Sequence, residues 1–221
     1  MSIKIFADTS NSEEIQELSK NPLIQGFTSN PSLMKKAGVP DYTEFCKKVI
    51  EITDKPVSFE VFSDDFDEIE RQARIISSWG ENVYVKIPIT NTQGVSSAPL
   101  INKLTKDIKL NITAVFGLIG ADEIVSESPM IISIFAGRIA DTGTDPAPFF
   151  NHAVSGAEYL WASTREVFNI IQAERAGADI ITITPEIFRK YEALKGKDLT
   201  EFSLETVKQF YNDAQSCGFS L

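Results

Sequence analysis

Lys86 occupies a position where a buried strand would normally carry an apolar side chain. The stretch NVYVKIPIT, residues 82–90, places Val83, Val85 and Ile87 on one face of a predicted strand and Lys86 on the other. Moving an ammonium group out of water is costly unless a partner compensates it, and burial disfavours the charged form of an amine. A lysine that gives up its proton is a nucleophile that can form a Schiff base with a ketone or an aldehyde.

The chemistry that a Schiff base permits requires further polar groups around it. The protonated imine acts as an electron sink, so that a neighbouring carbon–carbon bond can break. A carboxylate must then remove a hydroxyl proton, a second acid–base group must move water on and off the carbinolamine, and donors must hold the substrate hydroxyls. Asp8 and Glu60 suit the first two tasks, and Asn30, Asn111 and Ser133 suit the third.

The polar residues share one face of their predicted strands, because successive side chains of a strand alternate between two faces. The set lies toward the carboxyl half of each strand and comprises Asp8, Asn30, Glu60, Lys86, Asn111, Thr113 and Ser133. We interpret it as a site in the upper interior of a barrel, where barrel enzymes keep their active sites. Three alternatives stay open: polar groups that only satisfy one another, a salt bridge from Lys86 to Asp8 or Glu60, and a charged Lys86 that binds phosphate or polarises an enolate.

Short β-branched stretches that alternate with amphipathic helical stretches must position this site. Strands are predicted over residues 3–8, 24–29, 57–62, 83–89, 109–115, 130–136, 158–163 and 179–184. Helices are predicted between them, for example over 11–20, 41–54, 65–78, 95–106 and 165–176. This alternation predicts an α/β protein with one TIM (β/α)₈ barrel over residues 1–221. A doubly wound sheet is disfavoured because FADTSNSEEI has no Gly-rich phosphate turn after the first strand.

Composition restricts the partners. The chain is 43% hydrophobic and 24% charged, with a net charge of −10, which disfavours nucleic acid and anionic membranes. The start MSIKIFADTS lacks the pattern of a secretion signal, and Cys46 and Cys217 are expected to be free thiols in the cytoplasm. No His or Cys spacing suggests a metal site, and we expect no cofactor. His152, in a Pro-rich loop, is interpreted as a surface residue.

Seven motifs resemble, in order, those of the transaldolases. They are FADT at 6–9, GFTSNPSLM at 26–34, VSFEV at 57–61, VKIPIT at 85–90, NITAVF at 111–116, SIFAGRI at 133–139 and ASTRE at 162–166. The similarity runs from Ile3 to about Pro185, and the chain length resembles the short form of the family, which includes the fructose-6-phosphate aldolases. The sequence departs from the family pattern in FGLIGAD, residues 116–122, where a glutamine is expected.

The resemblance implies a role for each matching residue. Lys86 would form the Schiff base with the donor ketose phosphate, and Asp8 would take the proton from its hydroxyl. Glu60 and Thr113 would hold the water that moves protons during imine formation. The dihydroxyacetone unit would be bound by Asn30, Asn111 and Ser133, and the phosphate by Arg138, Ser163 and Arg165.

Two positions distinguish the two activities of the short form. By the same resemblance, the aldolases of the family carry Gln at the position of Glu60 and Tyr at the position of Phe135. A phenyl ring offers no hydroxyl to protonate the enamine, so the bound three-carbon unit would wait for an aldehyde acceptor. The resemblance therefore implies a transaldolase of the pentose phosphate pathway that acts on sugar phosphates such as sedoheptulose 7-phosphate and glyceraldehyde 3-phosphate.

Other functions stay open on the sequence alone. The first alternative is a fructose-6-phosphate aldolase that releases free dihydroxyacetone. The others are a sugar-phosphate sensor without activity and an isomerase. The resemblance also implies a homo-oligomer, a decamer built from pentamers, in which the C-terminal helix reaches a neighbour. Residues 204–221, with apolar side chains at helical spacing, form either that arm or a cover for the barrel floor.

Overall fold

The computed structural model describes residues 3–117, 123–125 and 127–218. The motif FGLIGAD spans residues 116–122, and its residues 118–122 therefore lie outside the described residues. The chain divides between Phe188 and Arg189 into two compact units. The prediction that residues 1–221 form one domain stays a prediction.

The first unit is built on a closed barrel of eight parallel strands in sequence order, with β8 paired to β1. The strands are β1 (Lys4–Asp8), β2 (Ile24–Thr28), β3 (Val57–Glu60), β4 (Val83–Pro88), β5 (Leu110–Val115), β6 (Met130–Ile134), β7 (Ala157–Trp161) and β8 (Ile180–Ile183). Each lies within one residue of a predicted strand segment or inside it. The predicted α/β fold, a TIM-type barrel, is confirmed.

Helices follow the strands along the chain. They are α1 (Ser12–Leu18), α2 (Pro31–Ala37), α3 (Tyr42–Ile52), α4 (Phe66–Ser77), α5 (Ala98–Leu104), α6 (Ala136–Asp141), α7 (Asn169–Ala176), α8 (Pro185–Leu194) and α9 (Leu199–Cys217). A 3₁₀ turn spans Ala147–Phe149. The helices named from the sequence did not include α2, α6 or α8; α2 and α6 are short, with seven and six residues, which makes a periodic pattern hard to detect there.

The outer face of the sheet is apolar because helices cover it. On β4, Val83, Val85 and Ile87 are buried. The helix α4 contacts β4 and buries Ile69, Ala73 and Ile76, which recur at the spacing of one helix face. This packing fixes the register of each strand and thereby sends the alternate side chains into the barrel.

The barrel contains an apolar plug, which consists of Phe6, Ile131, Leu160, Ala162 and Ile180. Gly26 makes room for the largest member, because a Cβ at this position would lie 2.5 Å from the ring of Phe6. The residues two positions further along β1, β6 and β8 are Asp8, Ser133 and Thr182. The plug is therefore the apolar floor beneath a polar layer.

The second unit contains α9. The side chain of Asp198 caps this helix by accepting from the N–H groups of Thr200 and Glu201, and Gly218 ends it in the left-handed conformation. The helix begins at Leu199, ahead of the predicted arm at residue 204. Its large apolar side chains are exposed, namely Leu199, Phe202, Leu204, Val207, Phe210 and Tyr211. None of the described helices combines the length and the apolar character needed to cross a membrane.

Candidate active site

A pocket of about 480 Å³ opens at the carboxyl ends of the strands. Of the side chains that the sequence singled out, all but one line it, namely Asp8, Asn30, Glu60, Lys86, Thr113, Ser133, Phe135, Arg138, Ser163 and Arg165. Asn111 is the exception and lies fully buried behind the pocket wall. Barrel enzymes keep their catalytic groups at this end, because the loops there vary while the barrel holds the strand ends rigidly.

Lys86 lies in the middle of the pocket and is only 6% exposed. Its Nζ donates to the carbonyl oxygen of Ser29 at 2.9 Å and lies 3.2 Å from Oε2 of Glu60. The parallel register pairs Glu60 with Lys86 on adjacent strands, which explains why the two side chains meet. The salt bridge that the sequence left open is thus present, and it compensates the enclosed ammonium.

Asp8 is held by a chain of hydroxyl groups. The Thr28 hydroxyl donates to Oδ1 of Asp8 at 2.7 Å and lies 2.6 Å from the hydroxyl oxygen of Thr182. A threonine hydroxyl has one hydrogen, so Thr182 donates to Thr28 when Thr28 donates to Asp8. Burial raises the pKa of Asp8, while Lys86 and the Thr28 hydrogen bond oppose that rise. A carboxylate with a raised pKa is suited to accept a proton.

Thr113 presents a hydroxyl that the surrounding protein leaves unpaired. It is 2% exposed, and its Oγ1 has no hydrogen-bond partner among the described residues. The next residue, Ala114, has a φ of 57°, and the β5–β6 register shifts between Ile112 and Val115. Backbone strain of this kind is concentrated at functional sites, and a buried hydroxyl without a partner is a natural position for a water or a substrate oxygen.

Asn111 reaches the pocket through its neighbours. The hydroxyl of Ser133 donates to Oδ1 of Asn111 at 2.7 Å, and Nδ2 of Asn111 donates to the hydroxyl of Ser58 at 3.0 Å. This chain fixes the hydroxyl of Ser133 at the pocket wall. Asn30 is also engaged, because its Oδ1 accepts from the N–H of Leu33 at 3.0 Å as the cap of α2. Its Nδ2 remains the group that can donate to a ligand.

Two arginines also line the pocket, one on α6 and one in the loop after β7. The guanidinium of Arg138 lies 5.1 Å from the ring centre of Phe135, and Arg165 forms a 2.6 Å ion pair with Asp141. The hydrogen bond from Arg165 holds the pKa of Asp141 below its ordinary value. Both arginines are exposed. Exposed guanidinium groups at the mouth of a pocket suit a phosphate.

Gly137 allows α6 to approach the loop after β7. A Cβ at this position would lie 1.6 Å from the carbonyl oxygen of Ser163, so no other residue fits without a backbone shift. Ser163 itself has a φ of 63°. This close approach brings Arg138 and Arg165 to the same end of the pocket.

Sequence reasoning missed several hydroxyl groups that the structure adds to the site. Thr28 and Thr182 line the pocket, and Ser58 supports its wall. Each lies on the inward parity of its strand, the signal that identified Glu60, but hydroxyl residues on strands are common and carry no marker of function. His152 is exposed, and its Nε2 lies 2.9 Å from the carbonyl oxygen of Gly177. Within the described ranges, no three His, Cys, Asp or Glu side chains gather to hold a metal ion.

Comparisons with known proteins agree with this geometry. Residues 5–221 match the sequence profile of the Transaldolase/Fructose-6-phosphate aldolase family. The chain belongs to this family. It is 32% identical over 219 residues to a protein from Thermoanaerobacter sp. (strain X514) named "Probable transaldolase", with 96% of this chain and 98% of that protein covered.

Other relatives have similar names. A "Probable transaldolase" from Thermoplasma volcanium is 36% identical, with 82% of this chain and 84% of that protein covered. A "Probable transaldolase 2" from Listeria monocytogenes is 34% identical, with 85% and 88% covered. The family and these names support a transaldolase-like function. Among solved structures, the 2-keto 3-deoxygluconate aldolase from Picrophilus torridus has a TM-score of 0.53 at 12% identity, covering 100% of this chain and 89% of that one, which shows the fold alone.

Proposed function

We propose that this family member transfers a dihydroxyacetone unit from a ketose phosphate to an aldose phosphate through a Schiff base on Lys86. The observation that carries the proposal is the enclosed Nζ of Lys86, 3.2 Å from the carboxylate of Glu60 and in one pocket with Asp8. A structural ion pair would not require an open cavity of about 480 Å³ around it. A lysine, two carboxylates and two arginines together suit carbon–carbon chemistry on a phosphorylated sugar.

The first half of the reaction forms the imine. Lys86 passes a proton to Glu60, and the neutral amine adds to the donor ketone to give a carbinolamine. Glu60 returns a proton to the carbinolamine hydroxyl, through a water that the unpaired hydroxyl of Thr113 can hold. Water departs and leaves a protonated imine on Lys86. The Ser133 hydroxyl oxygen, whose hydrogen goes to Asn111, accepts from a hydroxyl of the three-carbon unit, and Nδ2 of Asn30 donates to another.

The second half breaks and remakes a carbon–carbon bond. Asp8 removes the proton from the hydroxyl next to the scissile bond, the bond electrons move into the imine, and the aldose leaves. The enamine that remains attacks the aldehyde carbon of the acceptor, and Asp8 returns its proton to the new alkoxide. Hydrolysis of the imine then releases the product ketose and restores Lys86. The raised pKa of Asp8 suits a group that must both accept and donate this proton.

Arg138, Arg165 and Ser163 are proposed to bind the phosphate of donor and acceptor in turn. These groups line the same pocket as Lys86 but come from α6 and the loop after β7, which supports a site for a sugar with its ketone and its phosphate at opposite ends. Sedoheptulose 7-phosphate and fructose 6-phosphate are the proposed donors, and glyceraldehyde 3-phosphate and erythrose 4-phosphate the proposed acceptors. This assigns the enzyme to the pentose phosphate pathway.

Phe135 supports transfer over release. Its ring lines the pocket, lies 5.6 Å from the ring centre of Phe116 and supports Arg138 on one face. The ring supplies no proton to the enamine, so the three-carbon unit is retained until an acceptor aldehyde arrives. A homo-oligomer that includes a second copy of the chain is also proposed, supported by the exposed apolar side chains of α9.

The test measures products with and without an acceptor. With fructose 6-phosphate alone, we expect a single equivalent of glyceraldehyde 3-phosphate per active site, and borohydride should trap a three-carbon adduct that peptide mapping locates on Lys86. Erythrose 4-phosphate should then allow continuous turnover to sedoheptulose 7-phosphate. Sustained release of dihydroxyacetone without an acceptor would identify an aldolase instead. A failure to trap any adduct on Lys86 would contradict Schiff-base chemistry, and Phe135→Tyr is the matched variant expected to increase free dihydroxyacetone.

A further inference from the structure

The peptide group between Glu60 and Val61 is held from both sides, next to the ion pair of Glu60 with Lys86. Its N–H donates to the carbonyl oxygen of Lys86 at 3.1 Å. Its carbonyl oxygen accepts from the phenol hydroxyl of Tyr42 at 2.6 Å. The backbone that carries the Glu60 carboxylate is therefore tied to β4 on one side and to α3 on the other.

The bond to the carbonyl oxygen of Glu60 comes from the side chain of Tyr42, because no backbone N–H of β2 reaches that oxygen. On the β2 side of β3, the N–H of Phe27 donates to the oxygen of Pro56 at 2.8 Å, and the N–H of Ser29 donates to the oxygen of Ser58 at 3.3 Å. If the ladder continued by the same two-residue step, residue 31 would lie opposite the oxygen of Glu60, but the chain has left β2 and begins α2 at that residue. Residue 31 is proline, which has no N–H. The hydroxyl of Tyr42 replaces the donor that the ladder lacks at this point.

The surroundings of Tyr42 keep its hydroxyl in this position. Its ring centre lies 5.2 Å from that of Phe62 and 6.1 Å from that of Trp79. The side chain of Cys46 lies next to the phenol and adds to the rise in the pKa of Tyr42. Burial raises the pKa of Tyr42 above its ordinary value, so the phenol keeps its proton and donates it. Tyr42 is absent from the pocket lining, so it does not touch the substrate.

We propose that Tyr42 is a positioning residue for the proton transfer between Lys86 and Glu60. This inference rests on the proposed function, because it assigns Tyr42 to the imine-forming step. Without the hydroxyl, the Glu60 peptide loses one of its two anchors, and the carboxylate can move away from Nζ of Lys86. The carbon–carbon step depends on Asp8 and phosphate binding depends on the arginines, and neither group contacts Tyr42.

The test compares two tyrosine hydroxyls that each bond to a backbone group. Tyr42→Phe removes the anchor, and Tyr159→Phe is the matched control. Tyr159 is 2% exposed, and its hydroxyl accepts from the N–H of Val154 at 3.0 Å, away from the pocket. In single-turnover trapping with fructose 6-phosphate and borohydride, Tyr42→Phe should form the Lys86 adduct about tenfold more slowly, since small misplacements of a catalytic group cost large factors in rate. The KM for the donor should stay unchanged, and Tyr159→Phe should behave like the wild type.

A second variant keeps the proposal testable if Tyr42→Phe folds poorly. Cys46→Ala removes only the thiol that contacts the phenol, and it should slow the same step by a smaller factor. Thermal unfolding of each variant separates loss of structure from loss of rate. Trapping at the wild-type rate in both Tyr42→Phe and Cys46→Ala would overturn the role of Tyr42. A wild-type protein that gives no Lys86 adduct would instead overturn the proposed function itself.

Discussion

The two ends of the pocket are built in different ways. The reaction end consists of Asp8, Thr28, Glu60, Lys86, Thr113 and Ser133, which come from strands and the interior of the barrel. The proposed phosphate end consists of Arg138, Ser163 and Arg165, which come from the short helix α6 and the loop after β7. At the reaction end, most of the polar groups are fixed by a neighbour, whereas the arginines are exposed to solvent.

This difference determines what each end can control. Charges that protein encloses interact strongly and shift the protonation of their neighbours, because little water screens them. Exposed guanidinium groups interact with a phosphate through water and salt, which weaken the interaction. Substitutions at the reaction end should therefore change rates and pH profiles, and substitutions at the phosphate end should change KM and its salt dependence.

The largest effect is expected for Lys86→Arg. A guanidinium remains protonated and cannot add to a ketone, so turnover should fall by about 1,000-fold or more and no adduct should be trapped. Measurement of coupled turnover together with peptide mapping after borohydride treatment tests this. Lys55→Arg is the matched control, because Lys55 lies outside the pocket and its Nζ donates to the carbonyl oxygen of Ile24 at 2.7 Å. Intact turnover in Lys86→Arg would show that Lys86 is not the nucleophile, and the contrast between the two ends of the pocket would then fail.

A smaller effect is expected at the phosphate end. Under the proposed function, Arg138→Ala or Arg165→Ala each removes charge-assisted hydrogen bonds to the phosphate worth ~1.5–3 kcal/mol, which corresponds to a rise of about 10–100-fold in KM for phosphorylated donors. The kcat should change little, and added salt should narrow the difference from the wild type. Steady-state kinetics with fructose 6-phosphate and with unphosphorylated fructose measure this.

Arg175→Ala, on the last turn of α7, is the control for loss of a surface arginine. Equal losses with fructose and fructose 6-phosphate in Arg138→Ala and Arg165→Ala would show that these arginines do not bind the phosphate.

The smallest effect is a pH shift in Thr28→Val. The hydrogen bond from Thr28 lowers the pKa of Asp8 against the larger effect of burial, so its removal raises that pKa further. Asp8 must be ionised to act as a base, so activity is present above its pKa and lost below it. The acidic limb of the pH–rate profile should therefore move to higher pH, with the alkaline limb unchanged. The pH dependence of kcat/KM measures this shift.

The same pKa change affects stability with a defined sign. A carboxyl group whose pKa is raised by folding contributes stability that is present below its unfolded pKa and lost as pH rises through the folded pKa. The free energy of unfolding of Thr28→Val should therefore decline more between acidic and neutral pH than that of the wild type. Thr105→Val is the control, because this buried threonine lies outside the pocket and donates only to the carbonyl oxygen of Asn102. If the acidic limb of the pH–rate profile did not move in Thr28→Val, the Thr28 hydroxyl would have no influence on the pKa of Asp8.

The strands could be predicted from the sequence because each one meets two different environments. The outward face packs under helices and must be apolar, so polar side chains at alternate positions identify the inward face. Glu60, Lys86 and Thr113 were recognised in this way. The family resemblance added Arg138 and Arg165, which follow no periodic pattern. Their roles stay predictions, while their place in one pocket is now described.

Other features depend on geometry that single residues do not encode. The sequence contains Thr28 and Thr182 but nothing that says their hydroxyls lie 2.6 Å apart, because strands β2 and β8 are distant in sequence. The short helix α2 was missed because its start depends on a cap from Asn30, a residue already assigned to substrate binding. The early start of α9 depends on the cap at Asp198. Local capping bonds therefore set boundaries that periodicity cannot.

The apolar plug has a kinetic consequence. Phe6, Ile131, Leu160 and Ile180 fill the barrel beneath the reaction end, so a sugar that reaches Lys86 enters and leaves by the same mouth. Under the proposed function, the first aldose must diffuse out before the second can approach the enamine. Double-reciprocal plots of rate against donor at several acceptor concentrations would then be parallel lines. A large excess of acceptor would bind the free enzyme and compete with the donor for the pocket.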